Sequence, residues 1–149
     1  MSKTAGIIII GNEVLSGKTQ DTNSYFLCQE LRSLGVSVSR IVVIPDEVEL
    51  IGAEAAAFSR SYDLVFTTGG VGPTHDDVTI MGIARGFGLR VMRHPELVRR
   101  LRARHGDDLN EARLRMAEVP EGAELVGTGS IYAPIVKLHN IYIFPGIPK

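Results

Sequence analysis

Apolar positions along this chain follow two periodicities in alternation. Residues 6–11 read Gly-Ile-Ile-Ile-Ile-Gly, short, β-branched and apolar at both parities, which suits a central parallel strand covered on both faces. Behind Asp21 or Thr22 as a cap, Leu27, Leu31 and Leu34 recur at helical spacing. Gly35 closes that segment as a left-handed helix C-terminal residue would. Residues 36–44 alternate, then turn apolar, and predict a second strand that Pro45 ends. Asp46 stands three residues before Glu49 in a capping-box-like pair, and Val48, Ile51, Ala55 and Phe58 mark the buried stripe of a second helix. Residues 64–68 predict a third strand. Val78, Met81 and Ala84 open a third helix, whose end Gly86 and Gly88 bracket.

From 95 to 116 the pattern is helical but broken at Gly106. The tail changes character: residues 124–126, 135–137 and 141–144 read as short strands separated by turns at Gly127, Gly129 and Asn140. Strands alternating with helices at these lengths predict an α/β fold, a parallel sheet wrapped on both sides with right-handed crossovers. No repeat, linker or low-complexity tract interrupts the 149 residues, so one domain over 1–149 is expected.

Composition narrows this little. Hydrophobic content of 44% with 22% charged residues argues against disorder. A formal charge of −1 leaves no electrostatic footprint for nucleic acid or an anionic membrane. Arg99, Arg100, Arg102 and Arg104 form a local basic cluster, read as a solvated helix face. Cys28, the single cysteine, permits no intrachain disulfide and reads as a buried structural thiol. With no leader-like start and no apolar run long enough to span a bilayer, a cytoplasmic protein is expected.

The chemistry concentrates in residues 67–79, Thr-Thr-Gly-Gly-Val-Gly-Pro-Thr-His-Asp-Asp-Val-Thr. A strand, a glycine turn and a helix start form an anion pocket when backbone N–H groups point at a phosphate. The adjacent acids Asp76 and Asp77 suit such a pocket only with a cation between them and the ligand. Either acid also suffices as an ordinary helix N-cap, and Thr74 and Thr79 can bind phosphate or simply complete turns. Asp46 ends a parallel strand and so shares the sheet edge with the Gly69 loop, as do Asn12 and Glu13; ligands of open α/β sheets bind at that edge.

Other motifs fail on spacing. The segment 11–19 places five residues between Gly11 and Gly17-Lys18-Thr19, where a phosphate-binding P-loop needs four. The Gly69 loop reads G-G-x-G before a proline, which is not the dinucleotide fingerprint. His75, His94, His105 and His139 show no metal-ligand spacing.

Taken together, Gly11-Asn12-Glu13, Asp21-Thr22-Asn23, Pro45-Asp46-Glu47, the run 68–79 and Pro145-Gly146-Ile147-Pro148 resemble the molybdopterin-binding (MoCF, MogA/MoaB-like) family. The likeness is strongest to its CinA-type branch and to the corresponding domain of FAD synthases. The resemblance implies a three-layer α/β sandwich with a mostly parallel sheet, assembled into trimers or dimers. It implies that Asp46 and Asp77 carry the chemistry, that Asp46, Asp76 and Asp77 face a divalent cation (Mg²⁺, Mn²⁺ or Co²⁺), and that Gly11, Asn12, Glu13, Gly69, Gly70, Gly72, Pro73, Thr74, Thr79, Pro145 and Gly146 line a nucleotide or pterin site. Val71 stands where adenylyltransferases carry threonine, as suits the CinA side, and Met81-Gly82 stand where the family often has Glu-Ala. The chain stops just after Pro148, where relatives usually continue into another helix, so either a C-terminally trimmed domain or an unusually short protein is expected.

Three functions follow from that resemblance. The first is metal-dependent hydrolysis of a nucleotide diphosphate such as ADP-ribose or FAD. The second is the adenylyl transfer of molybdenum cofactor synthesis, with molybdopterin as ligand. The third is a non-catalytic binding module.

Overall fold

The computed structural model describes residues 3–127 and 135–145. Its elements are β1 (Thr4–Ile10), α1 (Asn12–Leu15), α2 (Asn23–Ser33), β2 (Ser37–Ile44), α3 (Val48–Ser61), β3 (Leu64–Thr68), α4 (Thr79–Gly86), β4 (Val91–Arg93), α5 (Pro95–His105), α6 (Glu111–Leu114), β5 (Glu118–Pro120), β6 (Glu124–Val126), β7 (Ile135–Leu138) and β8 (Ile141–Phe144). Six strands form one sheet in the order β2-β1-β3-β8-β7-β6, and β4 pairs with β5 in a separate antiparallel ribbon. Strands β2, β1, β3 and β8 run parallel, whereas β7 is antiparallel to both β8 and β6. The expected α/β fold with a mostly parallel, helix-flanked sheet is what forms.

Side-chain parity divides the core into two layers, because successive strand residues point to opposite faces. From β1, Ile8 and Ile10 join Val65, Ile141 and Ile143 beneath Ile51, Ala55 and Phe58 of α3 and Ile83 of α4. Ala5, Ile7 and Ile9 face the other way, against Leu27 and Leu31 of α2 and Phe66 of β3. On β8 the aromatics take that second face, with Tyr142 stacked on Phe66 at 5.4 Å between ring centroids. The isoleucine run apolar at both parities is thus a strand with two buried faces.

Most predicted boundaries hold. Gly35 adopts φ 81°, and the N–H groups of Val36 and Gly35 reach back to the carbonyls of Leu31 and Arg32 in a Schellman closure of α2. Asp21 accepts the Asn23 and Ser24 N–H groups at 3.0 and 3.1 Å, which secures the start of α2. Gly106, at φ 53°, ends α5 where the helical pattern broke. Asn140 does more than mark a turn: its amide nitrogen donates to the Ser59, Tyr62 and Asp63 carbonyls and ties the β7–β8 turn to the end of α3.

Other expectations are corrected. The Asp46–Glu49 capping box does not form: Glu47 is the N-cap of α3 and no side chain bonds its free N–H groups. Cys28 is half-buried rather than buried. The short helix α1 and the β4–β5 ribbon were not anticipated; three-residue strands hold too few positions for a period to show. The basic cluster on α5 is in part neutralised, since Arg99 and Arg100 both bond Glu96. Their charges and hydrogen bonds draw the Glu96 carboxyl down to about 2.

Helices α3 and α4 touch backbone to backbone. A methyl group at Gly52 would lie 2.6 Å from the Gly82 carbonyl oxygen, and one at Gly86 would lie 2.7 Å from the Gly52 Cα. At Gly82 it would meet the Ile51 side chain at 2.8 Å, so packing accounts for the glycine there. Gly86→Ala is expected to destabilise the protein by about 1–3 kcal/mol, the range for forcing atoms into a filled core. A denaturant midpoint at the wild-type value would contradict the tight crossing.

Candidate functional site at the strand ends

Three loops meet at the C-terminal edge of the sheet, after the adjacent strands β2, β1 and β3. The segment following β1 supplies Gly11, Asn12 and Glu13; the turn after β2 supplies Asp46; the long loop after β3 runs from Gly69 to Val78. Pro145 follows β8, which parallels β3, and so lies on the same edge. Gly146 lies outside the described residues.

Asn12 and Asp46 bind each other reciprocally. The Asn12 N–H donates to Asp46 Oδ2 at 3.0 Å, and the Asp46 N–H donates to Asn12 Oδ1 at 3.1 Å. This pair pins the first two loops together and holds the Asp46 carboxylate over α1. Burial pushes the Asp46 carboxyl above its ordinary value; the Asn12 hydrogen bond opposes this, while the charges of Glu13, Asp77 and Asp76 add to it. Those three acids therefore act on Asp46 through space, in the order given.

The Gly69 loop is a built turn rather than slack chain. Gly69 and Gly70 have φ 91° and 68°, and a side chain at either would collide with the Ile10 carbonyl or the Thr79 hydroxyl. Thr79 is fully buried; its hydroxyl donates to the Gly69 carbonyl at 2.9 Å and its N–H to the Gly70 carbonyl at 3.1 Å. Thr79 therefore leaves the ligand-binding set: its polar atoms are spent on holding the turn.

Asp77 is not a helix cap either. Helix α4 starts at Thr79 with Val78 as N-cap and no side-chain cap bond. Instead Asp77 Oδ2 accepts the Thr74 N–H at 3.1 Å and the Thr74 hydroxyl at 2.8 Å. Thr74 is likewise committed to the loop, although it and Pro73 stay exposed. Gly72 lets the carboxylate fold back, since a methyl group there would lie 2.5 Å from Asp77 Oδ2. A narrow crevice runs beside the loop, lined by Gly70, Gly72, Asp77, Met81 and, from the segment after α6, Arg115 and Glu118. Nothing in the sequence pointed to Arg115, which lies outside every motif.

The three-carboxylate set Asp46, Asp76 and Asp77 is not assembled. Asp76 is 81% exposed and sits 3.3 Å from His75, out in solvent. Among the described residues no group of three or more His, Cys, Asp or Glu side chains could hold a metal ion. A hard cation such as Mg²⁺ does not need one: it keeps several waters and binds one or two carboxylates together with substrate phosphates. Asp46 and Asp77 fit that requirement, because Asp46 already lies in a field of negative charge that a cation would relieve.

Comparison with known proteins bears on the family and the fold. Residues 6–149 match the MoCF biosynthesis family, described as a probable molybdopterin binding domain. A probable FAD synthase of Caenorhabditis elegans is 39% identical over 99% of this chain, and a protein of Archaeoglobus fulgidus is 38% identical over 95%. The chain spans 33% of the length of the first and 61% of the second. The crystal structure of CinA from Thermoplasma acidophilum, whose function is stated as unknown, superposes with TM-score 0.88 at 31% identity, covering 98% of this chain and 90% of that one. The molybdopterin biosynthesis enzyme MoaB of Thermus thermophilus shares the fold at TM-score 0.60 and 22% identity, with 98% and 82% covered. The chain belongs to the MoCF family of molybdopterin-binding domains. No helix among the described residues is long and apolar enough to cross a membrane.

The raised Asp46 pKa gives a stability test. A carboxyl whose folded pKa exceeds its unfolded value favours the fold when protonated and loses that contribution as pH rises through the folded pKa. Asp46→Asn retains an acceptor for the Asn12 N–H without the charge. It is expected to melt above wild type at neutral pH, with the gain vanishing below the ordinary value of 3.8. Thermal melts across this range check it; a gain that grows on acidification contradicts the assignment.

Proposed function

We propose that this domain binds the phosphates of a nucleotide or pterin at the β1–β2–β3 edge and hydrolyses a nucleotide diphosphate of the ADP-ribose or FAD kind. The observation that carries the reading is that Asp46 and Asp77, from two different loops of one sheet edge, are near enough for the charge of one to act on the other, beside a glycine turn whose backbone no side chain covers. Phosphate oxygens are received by the N–H groups of Gly69, Gly70, Val71 and Gly72, since Pro73 has none and that of Thr74 is held by Asp77. Asp46, clamped by Asn12, and Asp77, clamped by Thr74, hold a divalent cation (Mg²⁺, Mn²⁺ or Co²⁺) against the phosphates. When bound, such a cation polarises a phosphoryl oxygen and makes a coordinated water more acidic. Glu13 and Asn12 follow β1 on the same edge, and Asn12 keeps the Asp46 turn in register.

The FAD synthase relatives favour a dinucleotide diphosphate as substrate. Adenylyl transfer to molybdopterin uses the same phosphorus chemistry, and Val71 on the loop weighs against it. Removing a positioned charge-stabilising group costs about two to three powers of ten in rate. Asp77→Ala is therefore expected to abolish cleavage of ADP-ribose and FAD in the presence of Mg²⁺, Mn²⁺ or Co²⁺. Undiminished release of AMP by a folded variant would sink the assignment. Ligand retention with no product from wild type would leave a binding module, and AMP transferred to molybdopterin would mark the adenylyltransferase.

Leu15, Tyr25, Phe26, Leu34 and Ile41, on or beside α1, α2 and the edge strand β2, are large apolar side chains left between 43% and 75% exposed. Such surface favours association, and we propose a homo-oligomer, a trimer or dimer. Light scattering coupled to size exclusion is expected to give a multiple of the monomer mass; a monomer at working concentration contradicts it.

A further inference from the structure

The crevice beside the glycine loop has two walls of different origin. One is the loop itself, with Gly70, Gly72 and Asp77; the other is the segment after α6, which brings Arg115 and Glu118 from the β4–β5 side of the molecule. Arg115 is the one cation among the described residues lining it. It is half-buried, yet its guanidinium has no hydrogen bond or ion pair with any described residue. Its counterparts nearby are all matched: Arg93 bonds Glu111, Arg90 bonds Glu121, and Arg113 bonds the Asp108 carbonyl. Asp77 and Glu118 line the same crevice, yet neither is paired with the Arg115 guanidinium; Asp77 Oδ2 is engaged by Thr74.

Its backbone is anchored all the same. Two residues on, Ala117 is fully buried and its carbonyl accepts the His94 N–H at 2.8 Å, and Val119 of β5 is buried in the main core. A half-desolvated guanidinium on a fixed support, left without a carboxylate, is an arrangement that an incoming anion stabilises. Backbone N–H groups and a guanidinium on opposite walls can take two anionic groups at once.

We infer that Arg115 is a second anion contact of this site, which selects ligands carrying two linked phosphates over those carrying one. The inference rests on the reading that the glycine loop receives phosphate. One phosphate lies on the residue 69–72 backbone and the next on the Arg115 fork, so the ligand bridges the sheet edge and the β4–β5 unit. Arg115 binds and orients the ligand and takes no part in bond cleavage.

The test is calorimetric titration of wild type, Arg115→Ala and Arg115→Lys with ADP-ribose and with AMP, each with Mg²⁺, alongside thermal melts. Charge-assisted bidentate contacts imply an affinity loss of about 10- to 100-fold for ADP-ribose in Arg115→Ala. AMP affinity and melting temperature are expected to stay at wild-type values. Arg115→Lys is expected to recover part of the loss, since it restores charge without the planar fork. Equal weakening of both ligands, or an Arg115→Ala variant that keeps full ADP-ribose affinity, overturns the second contact while leaving the phosphate site standing. Wild type that binds neither ligand overturns the phosphate site and Arg115's role with it.

Discussion

The backbone crossing of α3 and α4 is the constraint on which the site depends. Gly52, Gly82 and Gly86 remove the side chains that would otherwise hold these helices a full layer apart. Val48 and Ile51 in the first turn of α3 meet Gly82, and Gly52 meets Gly86 at the far end of α4. Asp46 lies two residues before α3 begins and Asp77 two residues before α4 begins. Bringing the helix starts together therefore brings the two carboxylates toward each other. An exposed ion pair between Arg85 and Glu49 at 2.7 Å spans the same helices, but at such exposure it adds little. Shape, not charge, sets the approach.

Two acids brought together in this way repel, and the molecule retains the repulsion. Each carboxylate is restrained by a polar neighbour from its own side: Asn12 holds Asp46, and Thr74 holds Asp77. These are neutral partners, so they orient the oxygens without cancelling the charge. The cost shows in the raised Asp46 pKa, set first by burial and then by the surrounding acids. Functional sites are where such unfavourable fields persist, since the energy is recovered when a ligand of opposite charge arrives.

Much of the layout was legible beforehand. The isoleucine run of β1, the leucine spacing of α2 and the stripe of α3 each repeat often enough for a period to stand out. Turn residues with required conformations, Gly35 and Gly106, gave their boundaries correctly. What misled were short polar side chains with more than one available partner. Asp46 and Asp77 both sit where a helix cap is expected, and both bond elsewhere, to Asn12 across 34 positions and to Thr74 within the loop. Thr79 resembled a phosphate ligand and is a buried brace. Sequence proximity to a helix start cannot rank such partners, because a hydroxyl or carboxylate takes whichever donor the packed structure places nearest.

By itself the sequence determined the longer strands and helices of the main sheet and its flanks, that both faces of β1 are buried, and that glycine-rich chain precedes α4. Those properties arise from local periodicity and from backbone conformations that few residues tolerate. Only the tertiary structure decided that β7 turns antiparallel, that Asp76 stays in solvent while Asp46 binds Asn12 and Asp77 binds Thr74, and that Arg115 lines one crevice with the glycine loop. All but the Thr74 bond depend on contacts between residues far apart in the chain. Their outcome is set by how closely two helices can approach and which polar group is left without a partner when they do.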